Sequence, residues 1–150
     1  MSNMPYDVAS APISVGFFDK NAFRKKAQLI LVLKTGLAGV IFRANEYKDG
    51  KDAFFRMIRE LEPGTELKMY REPDNLHDKW AVNVVTQDDV ELGYLSRFKN
   101  ETIARLMDEG KKFVAYIDEA PEEIEDPDER RRTRAPTEDY RIPVAIYMED

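Results

Sequence analysis

Apolar and polar residues alternate along this chain with two different periods, and the switches between them mark its elements. Leu29–Lys34 and Leu37–Arg43 are β-prone runs joined around Thr35-Gly36, and the simplest reading is an antiparallel pair with Gly36 as turn or bulge. Asn45–Gly50 is polar and turn-like. In Asp52–Leu61 the period changes: Phe54, Met57, Ile58 and Leu61 fall at helical spacing, with Asp52 placed to cap and Pro63-Gly64 to stop the helix. Phe54 and Phe55 belong in this reading to the core, not to a base-stacking platform. Strand-like runs follow at Glu66–Arg71, Ala81–Val85, Val90–Leu95 and Phe113–Ile117, with a hairpin turn at Thr86–Asp89. Asn100 is an N-cap residue for a helix Glu101–Glu109 that shows Ile103, Leu106 and Met107 on one face, and Gly110 suits its left-handed C-terminal position. Tyr140–Met148 closes the pattern as a strand that Pro143 marks as edge or bulged.

Short strands, two helices and no strand–helix–strand alternation predict a mainly β fold, a small barrel, closed or partly closed so that few strand edges are exposed. Its span is 29–149, after a partly ordered N-terminal extension, 1–28, whose Val15, Phe17 and Phe18 can dock on the body or on a second subunit and whose Arg24-Lys25-Lys26 leads into the first strand. The stretch 120–139 is the compositional outlier. Acidic residues dominate Glu119–Glu129, then Arg130-Arg131-Arg132 and Arg134 form a basic knot before Pro136. Such charge blocks read as a solvated loop, or as an arm that reaches a phosphate backbone.

Composition then narrows the chemistry. The chain has 150 residues, the size of one domain with a core that needs no staples. Its 43% hydrophobic and 35% charged residues are the balance of a globular chain, not of one disordered throughout. With no cysteine and one histidine it lacks the ligands of a thiolate zinc site or a disulfide framework, and no cofactor is expected. The longest apolar run, Gly36–Phe42, is far short of the ~20 residues that span a bilayer. MSNMPYDVAS has neither the basic nor the apolar region of a secretory signal, so the expected address is cytoplasmic, with no membrane partner. A formal charge of -6 disfavours coating a duplex, where phosphate contacts dominate affinity, but leaves room for gripping an end or a short single strand.

The chemistry concentrates in Gly64–Ala81. Between the strand-like runs lies the polar turn Glu72–Lys79, where Pro73 removes a donor and holds Glu72 extended, and Asp74, Asn75 and Asp78 can bond their own backbone in Asx turns. The turn gathers Arg71, His77, Asp78 and Lys79 beside Trp80, more mixed functionality than a connector needs. Its sequence, Arg71-Glu72-Pro73-Asp74-Asn75-Leu76-His77-Asp78-Lys79-Trp80-Ala81-Val82, followed by Leu92-Gly93-Tyr94-Leu95 and Asn100-Glu101-Thr102-Ile103-Ala104, resembles the HIRAN domain family in order and spacing. The resemblance runs from about Leu29 to Met148 and is strongest over Gly64–Gly110.

The resemblance implies an OB-like barrel with two helices and a pocket that, in members of the helicase-like transcription factor type, takes a single-stranded DNA 3′ end. Carried over residue by residue, the pocket aspartate falls on Asp78, the aromatic before it on His77, the Arg-Tyr pair on Ile41 and Phe42, and the later histidine on Tyr94. Phe42 keeps a ring where the guanidinium is lost, and Arg43 can replace the lost charge by a one-residue shift. Tyr94 can donate a hydrogen bond but carries no positive charge near neutral pH. Arg71, Lys79, Arg97 and Lys99 are the remaining candidates for phosphate contacts. For Arg71 the alternative is an ion pair with Glu72, Asp74 or Asp78; for Asp78 it is a turn-capping role; Trp80, where the family has Asn, packs on the barrel or lines the pocket rim. No nucleophile elbow, phosphate-binding loop or metal cluster is present, and His77 and Asp78 are neighbours on one chain, so a non-catalytic binding domain is expected. The expected partner is single-stranded DNA or a DNA end, in repair or processing. The competing expectation is a protein–protein interaction module, favoured if the cations scatter instead of converging with Asp78 and Phe42.

Overall fold

A computed structural model of the chain describes residues 28–124 and 139–150. Val15, Phe17, Phe18, Arg24-Lys25-Lys26 and the knot Arg130–Arg134 lie outside the described residues. In chain order the elements are β1 (Leu29–Gly36), α1 (Val40–Glu46), α2 (Lys51–Arg59), β2 (Glu66–Arg71), β3 (Val82–Thr86), β4 (Glu91–Tyr94), α3 (Glu101–Asp108), β5 (Phe113–Ile117), β6 (Glu122–Ile124), β7 (Asp139–Arg141) and β8 (Pro143–Glu149). The fold is mainly β: an antiparallel six-stranded sheet in the order β1-β8-β5-β2-β3-β4, with β6 and β7 paired separately.

The sheet is open along most of its length but is pinned at one point. Past β1 the chain crosses to the opposite edge, where Ala38 and Tyr94 exchange backbone hydrogen bonds of 2.8 and 2.9 Å. A Cβ on Gly93 would lie 2.6 Å from the Ala38 carbonyl oxygen, so only glycine lets the two backbones meet. The result is the partly closed barrel that an OB-like fold implies. Its interior is filled by β3, buried at every position, and by Phe54, Phe55 and Ile58 of α2, all fully buried. The phenyl rings therefore belong to the core, as their spacing suggests; Phe55 lies against Tyr140 with centroids 5.0 Å apart. Burying a ring of this size stabilises the fold by roughly 1.5–3 kcal/mol.

Several elements differ from the sequence expectation. Leu37–Arg43 is not a strand paired to β1: β8 takes that edge, from Leu29↔Glu149 to Gly36↔Pro143, and the chain instead turns into α1, a third helix. Gly39, at φ 75°, starts it, and Val40 and Ala44 bury one face at i, i+4 spacing. Asp52 is not the cap of α2. Gly50 occupies that position and Asp52 sits in the first turn, where its charge still favours the helix N-terminus. Asn100 precedes α3 as expected, but its side chain caps nothing. At the other end of α3, Gly110 adopts φ 95° and its amide donates to the Met107 carbonyl while Lys111 donates to Leu106, the paired bonds of a Schellman ending. Tyr140–Met148 is two strands, not one. β8 runs in the sheet interior, and Pro143 is tolerated because it is the first residue of that strand. Part of 120–139 is likewise strand: β6 pairs Glu122 with Arg141 and Glu123 with Tyr140.

Candidate functional site

The seam between Ala38 and Tyr94 opens on one side into a hollow of about 320 Å³. Helix α1 brings Phe42, Arg43 and Glu46 to it, the turn between β2 and β3 brings Asn75, His77 and Asp78, and the segment after β4 brings Arg97. A larger hollow of about 690 Å³ lies on the other side of Phe42, toward Asp118–Ile124. The smaller one gathers the singled-out residues Phe42, Arg43, His77, Asp78, Tyr94 and Arg97.

The turn is held by its own side chains. Asn75 Oδ1 accepts the amides of His77 and Asp78 at 2.9 and 3.1 Å, and its Nδ2 donates to Glu72 Oε1 at 3.1 Å. Asp78 Oδ1 accepts the Trp80 amide at 2.9 Å, while Oδ2 accepts Nδ2 of Asn100 at 2.7 Å. Asn75 and Asp78 thus make the Asx bonds expected of them; Asp74 makes none among the described residues. Asn100, 1% exposed, spends its amide on Asp78 and leaves its own Oδ1 buried without a partner. Each Asp78 oxygen has accepted one bond, so the carboxylate keeps lone pairs for a further donor.

Arg43 is a fixed wall more than a free cation. Its side chain is 12% exposed, donates to Asn83 Oδ1 at 3.0 Å, pairs with Glu91 at 3.5 Å and stacks its guanidinium 4.6 Å from the Tyr94 ring centroid. Tyr94 in turn donates its hydroxyl proton to Glu72 at 2.8 Å. Burial, then this bond, holds the phenol above its ordinary pKa, with Arg43 opposing. Tyr94 therefore offers a ligand an acceptor oxygen, not the donor expected from the sequence.

Three singled-out residues do not line the hollow. Arg71 is structural: it grips Asp108 through two bonds of 2.8 and 3.1 Å and holds the carbonyls of Ala81 and Lys79 at 2.8 and 3.0 Å. Its carboxylate partner is Asp108, not Glu72, Asp74 or Asp78, and the guanidinium holds that carboxyl below its ordinary pKa. Lys79 sits by the Trp80 ring, and exposed Lys99 closes a turn through its amide to Ser96. Of the exposed candidates Lys79, Arg97 and Lys99 only Arg97 joins Asp78 and Phe42, so among the described residues these cations scatter, the arrangement expected of a protein-interaction module. Within the hollow Arg43 and Arg97 balance Glu46 and Asp78, which makes it near-neutral, with an exposed ring, Phe42, at its mouth. Asn100, Asn83 and Glu91, which fix these side chains, were not visible in the sequence as site residues, because their contacts join distant parts of the chain.

The sequence matches the family model for the HIRAN domain over residues 37–142. No curated protein matches it. Two crystal structures share the fold: a protein from Lactobacillus plantarum, 18% identical with TM-score 0.54, covering 81% of this chain and 97% of that one, and the HIRAN domain of human HLTF, 13% identical with TM-score 0.51, covering 81% and 79%.

Proposed function

The chain belongs to the HIRAN domain family, a family of DNA-binding modules, and on that premise we propose that its hollow receives the 3′ end of a single DNA strand, as a non-catalytic step of DNA repair or processing. The observation that carries this reading is the meeting of Phe42, His77 and Asp78 around one near-neutral cavity. Balanced charges make a poor trap for phosphate alone. They suit a terminal nucleoside, which brings a flat base and a hydroxyl donor. Phe42, 68% exposed, and His77 supply rings for the base, each stacked base being worth roughly 1–3 kcal/mol. The free lone pairs of Asp78 accept the terminal 3′ hydroxyl, and Arg97 meets the adjoining phosphate.

End selectivity follows from sign. A 3′-phosphate presents roughly -2 charge to the Asp78 carboxylate, so blocking the hydroxyl turns an attraction into a repulsion. The test is a salt-controlled titration of single strands with free and phosphorylated 3′ ends. The free end is expected to bind at least about tenfold more tightly, the scale of a charge-assisted hydrogen bond. Phe42→Ala should weaken both ends alike. Equal affinity for the two ends sinks the proposal.

A second reading rests on Leu76 and Phe98, 96% and 91% exposed, each next to a residue that lines the hollow. An apolar rim on an acidic protein also fits a protein partner. Absence of binding to any DNA end at low salt would favour it.

A further inference from the structure

Trp80 is the chain's one tryptophan, and three cations gather on it. The Arg105 guanidinium lies 4.5 Å from a ring centroid, the Lys79 ammonium 5.1 Å and the Arg71 guanidinium 5.9 Å. The indole is half-buried and packs against the core. Its three cations are not equivalent. Arg71 is spent on Asp108 and on backbone carbonyls. Among the described residues the ion-pair partner of Arg105 is Glu101, one helical turn back, and the two side chains are 62% and 55% exposed, a pairing that competes weakly with another anion. Lys79 is exposed and carries no ion pair among the described residues.

A half-buried indole flanked by two available cations is the chemistry that follows a single strand, the ring meeting bases and the cations meeting phosphates. It also lies beside the hollow. The Trp80 amide donates to the same Asp78 carboxylate that lines the cavity, and two residues of chain separate them by at most about 7 Å. We propose that Lys79, Trp80 and Arg105 form a second subsite, which holds nucleotides of the strand upstream of the two nearest its 3′ end. The proposal rests on the DNA-end reading of that hollow. Lys79, Arg71 and Arg105 against Asp108 and Glu101 leave one net positive charge here, so the salt dependence rises by about one phosphate, and the ring meets a base only while Lys79 and Arg105 hold the strand against it.

The test compares a dinucleotide with an octanucleotide, both with free 3′ hydroxyls, and follows Trp80 fluorescence. The octanucleotide should bind about fivefold or more tightly than the dinucleotide and change the Trp80 emission, as expected for one stacked base. In the Lys79→Ala, Arg105→Gln double variant, whose substitutions are on exposed side chains, that gain should vanish while dinucleotide affinity stays put. The salt slope for the octanucleotide should also become shallower, by about 0.7 for each phosphate the variant no longer holds. An octanucleotide that binds no better than the dinucleotide, or a gain that survives in the double variant, overturns the subsite and leaves the hollow intact. Trp80 quenching by the octanucleotide, abolished in the double variant, with no dinucleotide binding and no preference between ends, keeps the subsite and sinks the reading of the hollow. Binding of neither oligonucleotide overturns both.

Discussion

Asp78 carries two duties at once, and they can be separated experimentally. Its oxygens hold the Trp80 amide and the Asn100 side chain, so Asp78→Ala removes turn chemistry as well as a ligand acceptor. Asp78→Asn need not. The Asn100 Oδ1 is buried without a partner, and a rotated Asn100 amide would present it to the new Nδ2 donor. We expect Asp78→Asn to stay within about 1 kcal/mol of the parent in urea unfolding, while Asp78→Ala loses about 1–3 kcal/mol, the cost of stranded donors. Equal destabilisation of the two variants would contradict this account of Asn100. Tyr94 gives a second residue-level outcome. Burial and the bond to Glu72 raise its folded pKa above the ordinary 10.0, and burial does the same for Tyr116. A raised value means that the stability is fully present below the unfolded pKa and is lost as pH rises through the folded one. Stability should therefore fall above about pH 10, and Tyr94→Phe should flatten that alkaline decline; parallel curves for parent and variant would count against the raised phenol. At this scale the Asx turn was legible because its bonds span two or three residues. The roles of Asn100 and Asp108 were not, since their partners Asp78 and Arg71 lie 22 and 37 positions away.

Elements were legible where periodicity and local stop signals agreed, as in α2, α3 and the β2–β3 pair. They were misread at Leu37–Arg43, where apolar residues fill nearly every position and therefore fit a buried strand as well as a short helix. What decides between the two is remote: β8 occupies the edge of β1, and the following segment is drawn across to β4. Tertiary pairing, not propensity, makes α1, and with it places Phe42 at the hollow. The pinning point has a simple test. In Gly93→Ala the new methyl would meet the Ala38 carbonyl at 2.6 Å, a backbone atom that cannot swing aside without breaking the Ala38–Tyr94 pair. Overpacking of this kind costs about 1–3 kcal/mol. Hydrogen exchange should show the Ala38 and Tyr94 amides losing protection first, ahead of β3; unchanged protection at those two amides would mean that the close approach is not what the seam depends on.

At the scale of the whole molecule the seam and the site are one feature: the barrel is pinned where Ala38 meets Tyr94, and both residues line the hollow that the incomplete closure leaves. The charge of the molecule sets the terms on which that hollow works. A formal charge of -6 repels a polyanion, with a reach of about 10 Å at 0.1 M salt, while the hollow itself offers balanced charges. Binding must then come mainly from contacts made after arrival, stacking on Phe42 and His77 and the hydroxyl bond to Asp78. The expected signature is a shallow salt dependence. A dinucleotide with a free 3′ end should lose affinity with a log–log slope of about -0.7, the value for one phosphate contact on a single strand. Added salt has an opposite, smaller effect on encounter, because it screens the repulsion from the rest of the surface. A duplex with both 3′ ends phosphorylated should bind undetectably at any salt, since it offers neither the hydroxyl nor an unstacked base. A steep slope with strong binding of that blocked duplex would mean that affinity comes from a basic surface, and that the hollow at the seam is not the recognition site.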